Sequence, residues 1–142
     1  MKMSNTIAVQ VANLLNTQNQ LTVMYSKEDI LEKQENYILR LGENETVIGV
    51  VEVKKIQWYQ YEIDHLSVHP DARRQQIGTS LLQEAESRAK ELGGKIAQCT
   101  IRVGNEASET LFKKRGFVAT VSFLNTQNGN KVTVFQKVLV KA

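Results

Sequence analysis

The chain has one proline, Pro70, in 142 residues, and one cysteine, Cys99. A single cysteine excludes a disulfide framework, and a reducing compartment, the cytoplasm, is the expected setting. No apolar run approaches the roughly 18 residues that a membrane-spanning helix needs. The opening MKMSNTIAVQ has no apolar core of signal-peptide length. Aromatic residues make up only 6%, and there is one tryptophan, Trp58. No repeat, low-complexity tract or Pro/Ser-rich linker interrupts the sequence. What remains is 42% hydrophobic and 23% charged, the mix of one ordinary globular domain with a sizeable core.

Charge is unevenly spread. Residues 1–94 carry 10 Lys/Arg against 13 Asp/Glu, and residues 95–142 carry 8 against 2, within a net charge of +3. A basic last third suits an anionic ligand as well as a solvated surface. It lacks the interleaved aromatics and groove-reading motifs of a nucleic-acid binder, so no nucleic-acid partner is expected.

Periodicity sets the elements. Ile7, Val11, Leu14 and Leu15 share one helical face over residues 4–16, with Ser4 or Asn5 as cap. QLTVMY (20–25) is a strand candidate, and SKEDILEKQE predicts a helix capped by Ser26. YILRLGENETVIGVVEVKKI predicts two strands around a Gly-Glu-Asn-Glu turn. A further strand covers roughly Trp58–Val68 and stops at Pro70. A helix from about Gln76 to Leu92 ends at Gly93-Gly94. KIAQCTIRV alternates Ala97, Cys99, Ile101 and Val103 on one face, which predicts a strand with Cys99 as a buried apolar residue. Asn105 opens a short helix, and Asn128-Gly129 marks a final hairpin. The result is an α/β domain with a mixed sheet, in which the strand–helix–strand unit of residues 58–103 is a right-handed parallel crossover.

In such sheets ligands bind beyond the C-terminal ends of the parallel strands. There the sequence reads HPDARRQQIGTS. The mouth of a helix offers unpartnered N–H groups and partial positive charge, a phosphate site in waiting. Arg73 and Arg74 add charge-assisted donors, Thr79 a hydroxyl, and Gly78 and Ser80 allow close approach. The loop is neither a Walker loop nor a dinucleotide fingerprint. A plain surface helix with two solvated arginines is the alternative.

EIDHLSVHPDARRQQIGTSLL (62–82) followed by NEASETLFKKRGF (105–117) resembles the GCN5-related N-acetyltransferase (GNAT) superfamily. The matches are Leu66 and Val68 at the strand end, Arg73 to Gly78 in the loop, then Asn105, Ser108, Leu111, Phe112, Gly116 and Phe117. The resemblance covers residues 47–123. It implies a mostly antiparallel sheet flanked by helices, residues 1–45 as a variable acceptor side, 46–123 as the acetyl-CoA core, and 124–142 as the hairpin strand. It implies acetyl-CoA as cosubstrate, with no metal, and an amine of a small molecule or protein as acceptor. Arg73, Arg74, Gln75, Gln76, Ile77, Gly78, Thr79 and Ser80 would hold the pyrophosphate. Leu66, Ser67 and Val68 would pair with the pantetheine arm, and Asn105 and Ser108, with Phe112, would meet its far side.

Two positions depart from the family. Gln76 stands where a first glycine is usual. A left-handed φ there would strain glutamine by about 1 kcal/mol, but helix entry needs only ordinary φ, so Gln76 is expected to be helical and harmless. Phe112 stands where many members have a tyrosine able to protonate the leaving thiolate, which leaves a weakly catalytic CoA-binding module as the alternative function.

An attacking amine must lose a proton. Glu62 matches the glutamate base of histone-type members, and burial beside Trp58, Tyr59 and Tyr61 would raise its pKa. The same aromatics are candidates for an amine pocket. Glu62 equally suits a surface pair with Lys54 or Lys55. His65 is the rival base and Asp64 a third choice. The N–H near Leu66 is a candidate oxyanion donor. The C-terminal hairpin offers an edge strand through which the chain could pair as a homodimer.

Overall fold

A computed structural model of the chain describes residues 2–19, 21 and 23–141, without the side chains of Arg74 and Gln75. The described residues form four α-helices, α1 (Asn5–Gln18), α2 (Lys27–Glu32), α3 (Ile77–Glu91) and α4 (Glu106–Lys114), and six strands. The strands are β1 (Tyr37–Leu41), β2 (Val47–Gln57), β3 (Gln60–Val68), β4 (Ile96–Arg102), β5 (Val118–Leu124) and β6 (Lys131–Val138). They form one mixed sheet in the order β1-β2-β3-β4-β6-β5. Its parallel pair is β3 with β4, aligned from Gln60–Glu62 against Ile96–Gln98, as the crossover rule requires. The chain divides into two compact units, residues 1–53 with 65–85, and residues 54–64 with 86–142.

In the first unit, α1 buries Ala8, Val11, Ala12, Leu14 and Leu15 together with Ile30, Tyr37, Val47 and Val50. Ser4 caps α1 by accepting from the Ile7 N–H at 3.1 Å. Ser26 and Asp29 form a capping box at α2, each side chain holding the other's backbone N–H. β1 runs antiparallel to β2, with Arg40 opposite Gly49. A Cβ at Gly49 would lie 2.8 Å from Leu81 Cδ1 and 2.9 Å from Ile77 Cγ2. The missing side chain lets the first turns of α3 sit directly on β2, which fixes the mouth of that helix.

The strand expected over 20–25 does not form. Gln20 and Thr22 lie outside the described residues, and Leu21, Val23, Met24 and Tyr25 are in no strand. Val23 and Met24 are exposed, so the run is apolar without a sheet face to bury it. Here β-propensity lost to tertiary context.

In the second unit, β4 and β6 pair antiparallel along their lengths and β5 flanks β6. Ala97, Cys99 and Ile101 are buried as the alternation predicts, while Val103 lies past the strand end and is exposed. Glu86, buried near the end of α3, accepts from Arg115 Nε at 3.0 Å and from Lys137 Nζ at 2.5 Å. Gly93, at φ +95°, ends α3 in the left-handed conformation that glycine adopts without strain. β3 starts later than expected, at Gln60, because Trp58 and Tyr59 form the β2–β3 turn.

Candidate active site

Alternation along β3 turns Tyr61 and Ile63 into the interior and leaves Glu62 and Asp64 on the other side, half-buried. Lys54 Nζ lies 3.0 Å from Asp64 and 3.6 Å from Glu62. One ammonium thus serves two carboxylates, and the second cannot ionise freely. Burial, then the hydrogen bond and the negative charge of Asp64, push the Glu62 pKa up to about 7 against the opposing pull of Lys54. The expected aromatic cause is wrong in part. Trp58 is 83% exposed and Tyr59 also faces solvent. Only Tyr61 is buried, donating its hydroxyl to the Leu92 carbonyl at 3.3 Å. The three aromatics therefore form no common pocket wall. Burial, with the charges of Asp64 and Glu62, pushes the Cys99 thiol far above its usual range, so it holds its proton and is a poor nucleophile.

Three residues further on, in the first unit, His65 takes φ +53°, a left-handed conformation inside a strand. The peptide that follows this residue carries the Leu66 N–H. His65 Nε2 is 2.9 Å from Tyr25 Oη, with the two rings edge to face. The buried carboxylate of Glu52 lies 4.0 Å from the same nitrogen. Ser67 is buried, donates to the His65 carbonyl at 3.0 Å and accepts from Asn19 Nδ2 at 2.9 Å. The strained turn of the strand is therefore locked from α1 and from its own hydroxyl. Leu66 and Val68 are half-buried.

The loop begins at His69, whose N–H donates to the Ile48 carbonyl at 2.8 Å and whose Nδ1 accepts from the Asp71 N–H. Pro70–Gln75 form a 3-10 turn, with Ala72 buried beneath it. Gln76 then adopts φ +56°, ψ +27°. The expectation of an ordinary helical conformation fails: the position requires the left-handed region, where glycine is free and glutamine is strained by about 1 kcal/mol. α3 starts at Ile77, whose side chain is buried, so only its backbone faces the helix mouth. Gly78, Thr79 and Ser80 fill the first turn, which contains no acidic residue. Arg73 donates to Gln18. Arg74 and Gln75 lie in the 3-10 turn, and their side chains fall outside the described residues.

Arg40 is a cation the sequence did not reveal. It donates to Ser80 Oγ at 2.8 Å and to Glu84 Oε1 at 2.5 Å, across 40 and 44 residues of chain. Tyr25, Asn19 and Glu52 were missed for the same reason, since only the fold makes them neighbours of β3. In the second unit, Asn105 caps α4, accepting from the Ser108 N–H at 3.3 Å. Phe112 is buried edge-on against Phe117, with centroids 5.0 Å apart, and offers no hydroxyl. The candidates thus fall into Glu62 with Asp64 and Lys54, the His65–Ser67 turn with its partners, the α3 mouth, and the α4 cap. Among the described residues no group of three or more His, Cys, Asp or Glu is placed to hold a metal, and no helix is long and apolar enough to cross a membrane.

A strand with a left-handed residue near its end, running through a short turn into an acid-free helix mouth, belongs to an acetyltransferase-type fold. The model of the Acetyltransferase (GNAT) family matches residues 9–117, and the chain belongs to that family. Ard1 from Thermoplasma volcanium superposes with TM-score 0.84 at 20% identity, covering 99% of this chain and 97% of that one. Ribosomal-protein-alanine N-acetyltransferase from Brucella melitensis gives 0.82 at 17%, with 97% and 98% covered. Rv2747 from Mycobacterium tuberculosis, solved in complex with CoA and NLQ, gives 0.82 at 12%, with 99% and 98% covered. At these identities the likeness is one of fold. No curated protein sequence matches significantly.

Proposed function

We propose that the protein is an acetyl-CoA-dependent N-acetyltransferase acting on a primary amine of a small molecule or protein by direct attack. The observation that carries this reading is Glu62, a strand carboxylate with its pKa pushed up to about 7, four residues before the Leu66 peptide. A base with that pKa can take a proton from an ammonium at neutral pH, where about half of it is in the basic form. The freed amine nitrogen attacks the thioester carbonyl carbon, the C–S bond breaks, and CoA leaves as a thiolate. Phe112 cannot protonate that thiolate. A thiol is a good enough leaving group for solvent to supply the proton. The Leu66 N–H, next to the left-handed His65, would donate to the developing oxyanion. A buried, fully protonated Cys99 argues against an acetyl-cysteine intermediate.

The first turn of α3 is suited to the CoA pyrophosphate. Backbone N–H groups of Ile77 to Thr79, the helix dipole and the charge of Arg73 would supply donors for an anion, and the turn itself holds no acidic residue. Leu66 to Val68 would pair with the pantetheine amides. His65 is placed as a positioning group, since its ring is already engaged by Tyr25.

The test is transfer of labelled acetyl from acetyl-CoA across an amine panel, with Glu62→Gln as the variant. Transfer by the wild type that falls steeply in the variant supports the proposal. Tight CoA binding with transfer at background for every amine would favour the second reading, a CoA-binding module, which the Phe112 substitution motivates.

A further inference from the structure

The sheet face that carries Glu62 also carries a row of carboxamides. β3 and β4 pair with Glu62 beside Gln98, and β4 and β6 pair with Gln98 beside Gln136. Residues paired in this way point to the same side, so the three side chains form one row on strands about 4.8 Å apart. The opposite side is the packed one. Ala97, Cys99 and Phe135 are buried there, and Lys137, of the same parity as Phe135, reaches Glu86 of α3 and the Phe117 ring. The helical residues of this unit thus pack behind the row. Glu62, Gln98 and Gln136 are half-buried, and Thr100, next along β4 on their side, is exposed.

Gln98 is fixed in orientation by its neighbours. Its Oε1 accepts from Gln60 Nε2 at 2.5 Å and from Gln136 Nε2 at 2.9 Å. Gln60 Oε1 in turn accepts from Gln57 Nε2 at 2.9 Å. A carboxamide oxygen has two lone pairs, and its NH2 has two donors. Two donors meeting on the Gln98 oxygen use both lone pairs and settle which way the amide plane faces. Its Nε2 is therefore turned away from both glutamines, and among the described residues none accepts from it. A neutral donor of fixed direction stands one strand away from the carboxylate that takes the amine proton. The charge nearby selects what it can meet. Lys54 is divided between Glu62 and Asp64, so a carboxylate on the acceptor would be repelled there and a neutral oxygen would not.

We infer that Gln98 determines specificity for the acceptor, donating from Nε2 to a neutral carbonyl or hydroxyl oxygen on the carbon next to the one that bears the amine. The inference rests on the reading of Glu62 as the base. With the nitrogen at Glu62 and the oxygen at Gln98, the two atoms must lie within about one strand spacing of each other. An amine and an oxygen on adjacent carbons meet that limit. The terminal nitrogen of a lysine side chain or of a polyamine has no oxygen so near. An amino-acid amide and a 2-amino sugar both present the required pair of atoms.

The test measures kcat/KM of the full chain, with saturating acetyl-CoA, for an amino-acid amide, a 2-amino sugar and an alkylamine without oxygen. The amide or the sugar should be preferred, and the better of the two identifies the source of the chemistry. Amines differ in basicity, so the deciding quantity is how the preference over the alkylamine changes in variants. Gln98→Glu keeps an oxygen to accept from Gln60 and Gln136 and replaces the NH2 by an oxygen. Gln98→Leu removes both. In each the preference should shrink about 3- to 10-fold, the worth of one neutral hydrogen bond. A merely structural Gln98 would lower transfer to all three amines alike, and an unchanged preference overturns the inference. Background transfer to every amine would sink the activity itself, and binding then decides this point separately. The side-chain NH2 resonances of Gln98 in the CoA-loaded protein, identified by their loss in Gln98→Glu, should shift with the amide or the sugar and not with the alkylamine. Resonances that stay in place, or that respond equally to all three, overturn the inference.

Discussion

A carboxylate serves as a general base when its pKa sits near the working pH, and a strand surface does not ordinarily provide that. Glu62 reaches about 7 first because it is half-buried, and then because Asp64, two residues along the same face, bonds to it and shares the ammonium of Lys54. The rate should therefore rise with pH through about 7 and level off above it, as the basic form becomes complete. Glu62→Gln should remove that step and lower kcat by about 10²- to 10⁴-fold, read from the pH profile of labelled acetyl transfer. The same shift has a sign in stability. A carboxyl with a raised folded pKa binds its proton more tightly when native, so the wild type loses stability relative to Glu62→Gln as pH climbs from 4.5 through 7. Urea midpoints at pH 5 and pH 8 would show the gap opening at the higher pH. Gln76 is the second residue where local chemistry speaks. At φ +56° its side chain is a liability, and Gln76→Gly should gain up to about 1 kcal/mol in urea unfolding. A gain in stability without loss of CoA binding would show that only the backbone of this residue is needed.

Elements with a strong local signal were legible in the sequence. α1, α2 and α4 carry their own caps at Ser4, Ser26 and Asn105, and the Asn-Gly hairpin carries its own turn. The run 20–25 failed because apolar residues in sequence become a strand only where a neighbouring strand and a core face accept them. The left-handed backbone of His65 was not legible either, since no residue type announces it inside a strand. Nor was the role of Gly49, read only as part of a strand, though it decides where α3 sits. Gly49→Val would drive side-chain atoms into Leu81 and Ile77 at under 3 Å and displace the helix mouth. Overpacking of this kind costs about 1–3 kcal/mol. Calorimetric titration with acetyl-CoA should find weaker binding in this variant than in Gly49→Ala. An unchanged affinity in Gly49→Val would mean that the α3 mouth is not the pyrophosphate site.

For the molecule as a whole, two motifs separated by a helix and a strand made the class readable, but not the internal partition. The two units interleave along the chain, and no linker composition marks where β2, β3 or α3 passes from one to the other. Charge patterning was legible only as an excess. Eight basic residues against two acidic in the last third read as a general basic surface, whereas two of them, Arg115 and Lys137, are spent on one buried acid from α3. Glu86 is thus the electrostatic tie of the second unit, binding the end of α4 and β6 to the helix that closes the crossover. Removing one member of a buried ion group is costlier than its net worth, because the remaining charges stay behind unpaired. Glu86→Ala leaves two half-buried cations facing each other and should lose about 3–5 kcal/mol in urea unfolding. Glu86→Gln keeps the shape and the acceptor and should lose less. Arg115→Met combined with Glu86→Leu removes a cation together with the acid and should recover part of the loss. Equal losses in all three variants would make packing at this position, rather than charge, the source of its contribution.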